Sequence, residues 1–193
     1  MEPTDSIDEA AVVEQMRAWI ERAVIGLNLC PYAKAVWLNQ QVRIRVSDAR
    51  HIDHFLEHLD EELERLVTTD PKVLDTTLLV HPTLFPDFAT FNDFLDLAEA
   101  CLEDHDLVGV IQIASFHPQF QFAEEPEGDW SHYTNRAPYP TLHLLREASI
   151  AQAVADHPNP DAIWQRNVAL MRELGRSGLA KLKIWPELED EKK

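Results

Sequence analysis

The sequence predicts an α/β layered fold with a mainly parallel central sheet of at least three strands, flanked by helices. Three observations carry this. Apolar runs at 41–47, 76–80 and 108–116 have strand character. Stretches with helical apolar spacing precede and separate them. Crossovers from strand through helix to strand within one sheet run parallel and right-handed as a rule. The order helix, strand, helix, strand, helix, strand therefore points to layers. A ferredoxin-like α+β mixed sheet is the alternative.

The elements follow in order. Ser6 with Glu9 has the form of a capping box, in which each side chain satisfies the other residue's amide. Behind it Val13, Met16, Ile20, Ala23, Val24 and Leu27 give a helix over 7–26, ended by Gly26 and Asn28. Proline suits a first helical position, so Cys30-Pro31 predicts a short helix over 31–38 with Cys30 as its cap. In 41–47, Val42, Ile44 and Val46 alternate with Arg43 and Arg45, the pattern of a half-buried strand. Ile52, Phe55, Leu56, Leu59, Leu63 and Leu66 make 49–68 helical. The run 76–80 closes at His81-Pro82, and Thr90 with Asp93 caps a helix carrying Phe91, Phe94, Leu95, Ala98, Cys101 and Leu102. The strand 108–116 closes at His117-Pro118. Two helices are expected near 143–156 and 160–175, the second starting at Asn159-Pro160 and stopping at Gly175.

Composition bounds what the chain does. Its 193 residues fit a single domain over 1–193, with 1–5 and 187–193 frayed and 119–140 a long loop or lid. Thirty-four Asp and Glu against 17 Lys and Arg leave a net charge of −17, which opposes binding to nucleic acid or acidic membrane. None of the five glycines forms a phosphate-cradling motif. The start lacks a signal-peptide pattern, no run is long enough to span a bilayer, and two cysteines make no disulfide scaffold. A cytoplasmic protein with free thiols is the expectation.

Chemistry concentrates at a few places. His81 and His117 each follow an apolar strand and precede proline, which puts both on the carboxyl edge of a parallel sheet, where α/β folds bind ligands. Cys30 at a helix N-terminus would have its thiolate favoured by the dipole. Asn135, Arg136 and Arg146 lie in the polar segment that ends the long loop; a guanidinium fork suits carboxylate or phosphate, whereas Arg146 also has Glu147 beside it. His51, His54 and His58 share a helix flank and read as solvated, and Cys101 falls on an apolar stripe. The spacings CxxC, HExxH and GxSxG are absent.

Three segments, Gly26-Leu27-Asn28-Leu29-Cys30-Pro31-Tyr32-Ala33, Ser115 to Phe122, and Tyr133 to Glu147, resemble in the same order the bacterial family of the domain of unknown function 1415. The likeness runs from about 10 to 180, and Tyr32 keeps the aromatic that follows Leu-Cys-Pro in that family. The resemblance implies a bacterial, single-domain, cytoplasmic protein, and supplies no activity, cofactor or catalytic residue.

The first expectation is accordingly an enzyme on a small polar or anionic metabolite: Cys30 as nucleophile, His117 as general base, and His81, Asn135, Arg136 and Arg146 binding substrate. A metal-binding module using Cys30, His81 and His117 is the second. A non-enzymatic protein whose acidic surface receives a partner, its histidines being structural, is the third. Cofactor and oligomeric state stay open.

Overall fold

The computed structural model describes residues 7–156 and 159–189. Helix α1 (Glu9–Trp19) starts at Asp8, whose carboxylate accepts from the Ala11 amide at 3.1 Å; the expected Ser6 cap lies outside the described residues. At Ile20 the helix widens into a π turn (Ile20–Ile25), and the Gly26 amide reaches back five residues to the Glu21 carbonyl. That turn brings the Arg22 carbonyl oxygen to 2.3 Å from where a Gly26 Cβ would stand, so only glycine fits.

Next come α2 (Ala33–Leu38), β1 (Val42–Val46), α3 (Ile52–Thr68), β2 (Thr76–Val80), α4 (Phe88–Asp104) and β3 (Ile111–Phe116). A 3₁₀ turn (Trp130–Thr134) leads to β4 (Thr141–Arg146), α5 (Glu147–Asp156), α6 (Pro160–Ala180) and α7 (Pro186–Glu189). The cap of α4 is Asp87, which holds the Thr90 amide, rather than Thr90 itself. Asn159 caps α6 as expected; Gly175 kinks that helix at φ +52 without ending it. Residues 187–189 are helical, with Leu188 buried; the expected fraying of 1–5 and 190–193 lies outside the described residues.

The sheet corrects the mainly parallel expectation. Its order is β1-β2-β4-β3, and only β1 and β2 pair in parallel. Strand β4 runs antiparallel to both neighbours, Thr141 lying opposite Val80 and Phe116. The helix expected near 143–156 starts only at Glu147, and its first four residues belong to β4, since Leu144 and Leu145 fit either period. Pairing on both sides decides for a strand, with Leu142 and Leu144 fully buried on one face. Strands β1, β2 and β3 still share a direction, so their carboxyl ends meet at one edge.

Each face has its own core. Leu79, Ile111, Leu142 and Leu144 pack with α3 and α4 through Phe55, Leu59, Leu63, Phe91 and Phe94. Leu78, Val80 and Val46 pack with α1, the 3₁₀ turn, α6 and α7 through Met16, Trp19, Tyr133, Met171 and Leu188. The expected lid is tied to α6: Arg172 holds Asp129 and Glu125, and Ser131, His132 and Tyr133 are buried. Among the described residues no helix is long and apolar enough to cross a membrane.

One buried charge ties β1 to α3. The Glu62 carboxylate is 1% exposed and receives both forks of Arg43, at 2.8 and 3.0 Å. Replacing Arg43 by Met strands that carboxylate with only Arg65 at 3.5 Å. The expected loss is about 3 kcal/mol in urea unfolding. The double variant Arg43→Met, Glu62→Leu should recover most of it; equal losses in single and double variants would contradict the pairing.

Candidate functional site

The carboxyl edge gathers four loops: 47–51 after β1, 81–87 after β2, the chain after β3, and the approach to β4. His81 and His117 stand there as expected, one residue past β2 and β3, their amides bonded to the carbonyls of Pro140 and Asn135. Both are fully buried, and both rings face the α3–α4 core. His81 meets Phe55 edge-on at 4.9 Å, and His117 stacks on Phe91 at 5.3 Å.

Each ring spends both nitrogens on backbone. Nδ1 of His81 accepts the amides of Thr83 and Leu84, at 3.2 and 2.8 Å, which fixes the proton on Nε2. Nε2–H then donates to the Ala49 carbonyl at 2.8 Å. In His117, Nδ1 accepts from the Gln119 amide at 3.0 Å and Nε2–H donates to Phe85 at 3.1 Å. His81 thus ties the loop after β1 to the loop after β2, and His117 ties the loop after β2 to the chain after β3. Burial holds His81 down at about 4 and pushes His117 down as well. At neutral pH both imidazoles are uncharged clamps.

The pattern extends to two histidines that the sequence did not single out for this role. His132, inside the long loop, accepts from the Phe122 amide and donates to the Pro126 carbonyl. His58 lies buried on α3, contrary to the solvated flank expected, and its Nδ1 receives the Ser47 hydroxyl at 2.8 Å. Asp48 stands 3.9 Å from Nε2 of His58. Ser47, His58 and Asp48 have the composition of a hydrolytic triad with the two ring nitrogens exchanged. Ser47 has no exposed surface and its oxygen also accepts the Ala49 amide, so this is a loop anchor. Burial, then Arg45, lowers the pKa of His58. The signal for these two was weak: short polar neighbours at a strand end for His58, and nothing periodic around His132.

The remaining expected residues separate. Asn135 and Arg136 lie beside His117: the Arg136 Nε donates to the Phe120 carbonyl at 3.1 Å and its guanidinium sits 4.6 Å over the Tyr133 ring. Arg146 is at the far end of β4. Its Nη2 donates to the carbonyls of Leu66, Thr69 and Leu74, closing the end of α3 and the turn after it, and it does not pair with Glu147 as expected.

The segment that leads to Cys30 packs on the other face of the sheet. Leu27 and Leu29 pack into the α1–α6 core. Arg166 and Asn167 of α6 hold the carbonyls of Leu27, Asn28 and Leu29. The cap of α2 is Tyr32, so Cys30 stands two residues before the cap and does not cap the helix. The ring nitrogens of His81 and His117 all go to backbone, and none of them bonds to Cys30. Among the described residues no group of three His, Cys, Asp or Glu is arranged to hold a metal ion. Cys101 is partly buried against the α3–α4 core; burial, then Asp60, pushes its thiol up to about 11.

The family model described as a protein of unknown function, DUF1415, matches residues 11–181, and the chain belongs to that family. Neither a curated protein nor a solved structure matches it.

The clamps set a pH dependence. A histidine whose folded pKa is lowered takes up protons in the unfolded chain first, so its stabilisation is complete above about 6.5 and is lost as pH falls toward 4. His81 alone accounts for about 3 kcal/mol over that window. Urea midpoints measured from pH 8 to 4 should be flat above 6.5 and fall below it. A midpoint that rises or holds level down to pH 4 would remove the neutral-clamp assignment.

Proposed function

We propose that this chain is a binding protein rather than a catalyst, and that its acidic α3–α4 layer receives a cationic segment of another protein. One observation carries the reading: the two imidazoles best placed for chemistry have no nitrogen left to move a proton, because each is engaged at both ends by backbone. Leu27 and Leu29, just before the thiol, pack on the opposite face of the sheet. What the chain offers outward instead is charge. Residues 48–106, which span α3 and α4, hold 16 Asp and Glu against three Lys and Arg, a net of −13 out of −17.

That charge is displayed. Asp53, Glu57, Glu61 and Glu64 on α3 and Asp93, Asp96 and Glu99 on α4 are all exposed. Near the end of α3 an open depression of about 310 Å³ is lined by Glu61, Glu64, Arg65, Thr68 and Thr69. Such a field concentrates cations from a distance and loses strength with salt.

The test separates a surface from net charge. A fluorescent oligolysine peptide is titrated into the full chain at low salt. The variant Glu57→Lys, Glu61→Lys should weaken binding at least about tenfold. The variant Glu9→Lys, Glu14→Lys on α1 changes the net charge equally and should weaken it by less than about threefold. Equal weakening by both, or no binding by the parent, would overturn the reading.

A further inference from the structure

We propose that a second copy of this chain pairs with the outer edge of β3, antiparallel, across a two-fold axis. The two ends of the sheet are built differently. At one end β1 reads Val-Arg-Ile-Arg-Val, and charged residues on an edge strand discourage strand addition. At the other end β3 reads Ile-Gln-Ile-Ala-Ser-Phe, with no charge, no proline and no bulge. It sits in the longest stretch of the chain without Asp, Glu, Lys or Arg, Leu107 to Ala123, and exposed Val108 and Val110 lead into it.

The hydrogen-bond phase of β3 follows from its register. Glu147 donates to the Val110 carbonyl and Ile111 faces Arg146, so residues 110, 112, 114 and 116 exchange bonds with β4. Residues 111, 113 and 115 turn theirs outward. The Ile111 amide is taken by Leu107, which leaves the N–H groups of Ile113 and Ser115 aimed away from the sheet. Among the described residues no strand pairs there. Ile113 and Ser115 both keep part of their surface in solvent.

The occupant is a second copy for two reasons. Molecules of charge −17 repel one another, and the neutral stretch through β3 is where two of them approach at least cost. An antiparallel pair of identical edges is also self-satisfying: centred on Ala114, the N–H and C=O of Ile113 meet those of Ser115 in the second copy, and the reverse. The joined sheet then ends in β1 on both sides, and the assembly closes as a pair instead of growing.

Sedimentation equilibrium of the full chain tests this, with amide exchange of Ile113 and Ser115 alongside. At about 100 μM chain the mass should be twice 22.1 kDa, and raising the salt should favour the pair by screening like charges. Protection of the two amides should rise with concentration. Ser115→Pro removes an outward N–H without touching the β4 ladder and should weaken the pair at least about tenfold with the circular dichroism unchanged. Ala114→Glu, which sets two carboxylates opposite each other at the axis, should do the same and decides the matter if the proline variant does not fold. A monomeric parent at high salt overturns the proposal and leaves a foreign strand as occupant. A pair that survives either folded variant places the interface elsewhere, and assemblies larger than two exclude closure.

Discussion

Strand β4 runs against β2 and β3 while lying between them, and the rest of the molecule answers to that constraint. Because β2 and β3 keep a common direction without touching, the helix that joins them spans a gap, and the loops at their ends lie two strands apart. Those loops have no ladder of their own. Their amides and carbonyls must find partners nearby, since a buried backbone group left alone costs free energy. Imidazole supplies them: in its neutral form it accepts at one nitrogen and donates at the other, and it reaches farther than serine or asparagine.

Using histidine this way has a chemical cost. A general base needs an unpaired ring nitrogen and a pKa near ambient pH. His81, His117 and His132 each have their two nitrogens committed, and burial moves the first two further from neutrality. The family membership over residues 11–181 assigns no reaction, and the geometry gives none of these residues a reacting partner. Residues that look catalytic by type here tie one stretch of backbone to another.

Much of the fold was legible in the sequence. The strand at 76–80 and the helices carrying Phe55 and Phe91 emerged at nearly their true bounds, because a single period ruled each. β4 did not: Leu144-Leu145 blurs an alternation that only its neighbours resolve. Of the site, the placement of His81 and His117 on one edge was readable from His-Pro after an apolar run, and the juxtaposition of His117 with Asn135 and Arg136 followed. The face on which the segment before Cys30 packs was not readable. It is decided by Arg166 and Asn167, over 130 positions away, which bind carbonyls and so leave no local trace. Arg146 was misread for the same reason, its partners being the carbonyls at the end of α3.

The insertion of β4 also orders events in time. A chain growing from its amino end completes β1, α3, β2, α4 and β3 before Thr141 exists. Until then β2 has one open side, β3 has two, and the carbonyls of Thr69 and Leu74 lack Arg146. The nascent sheet therefore lacks the strand that lies between β2 and β3 until residues 141–146 have been made.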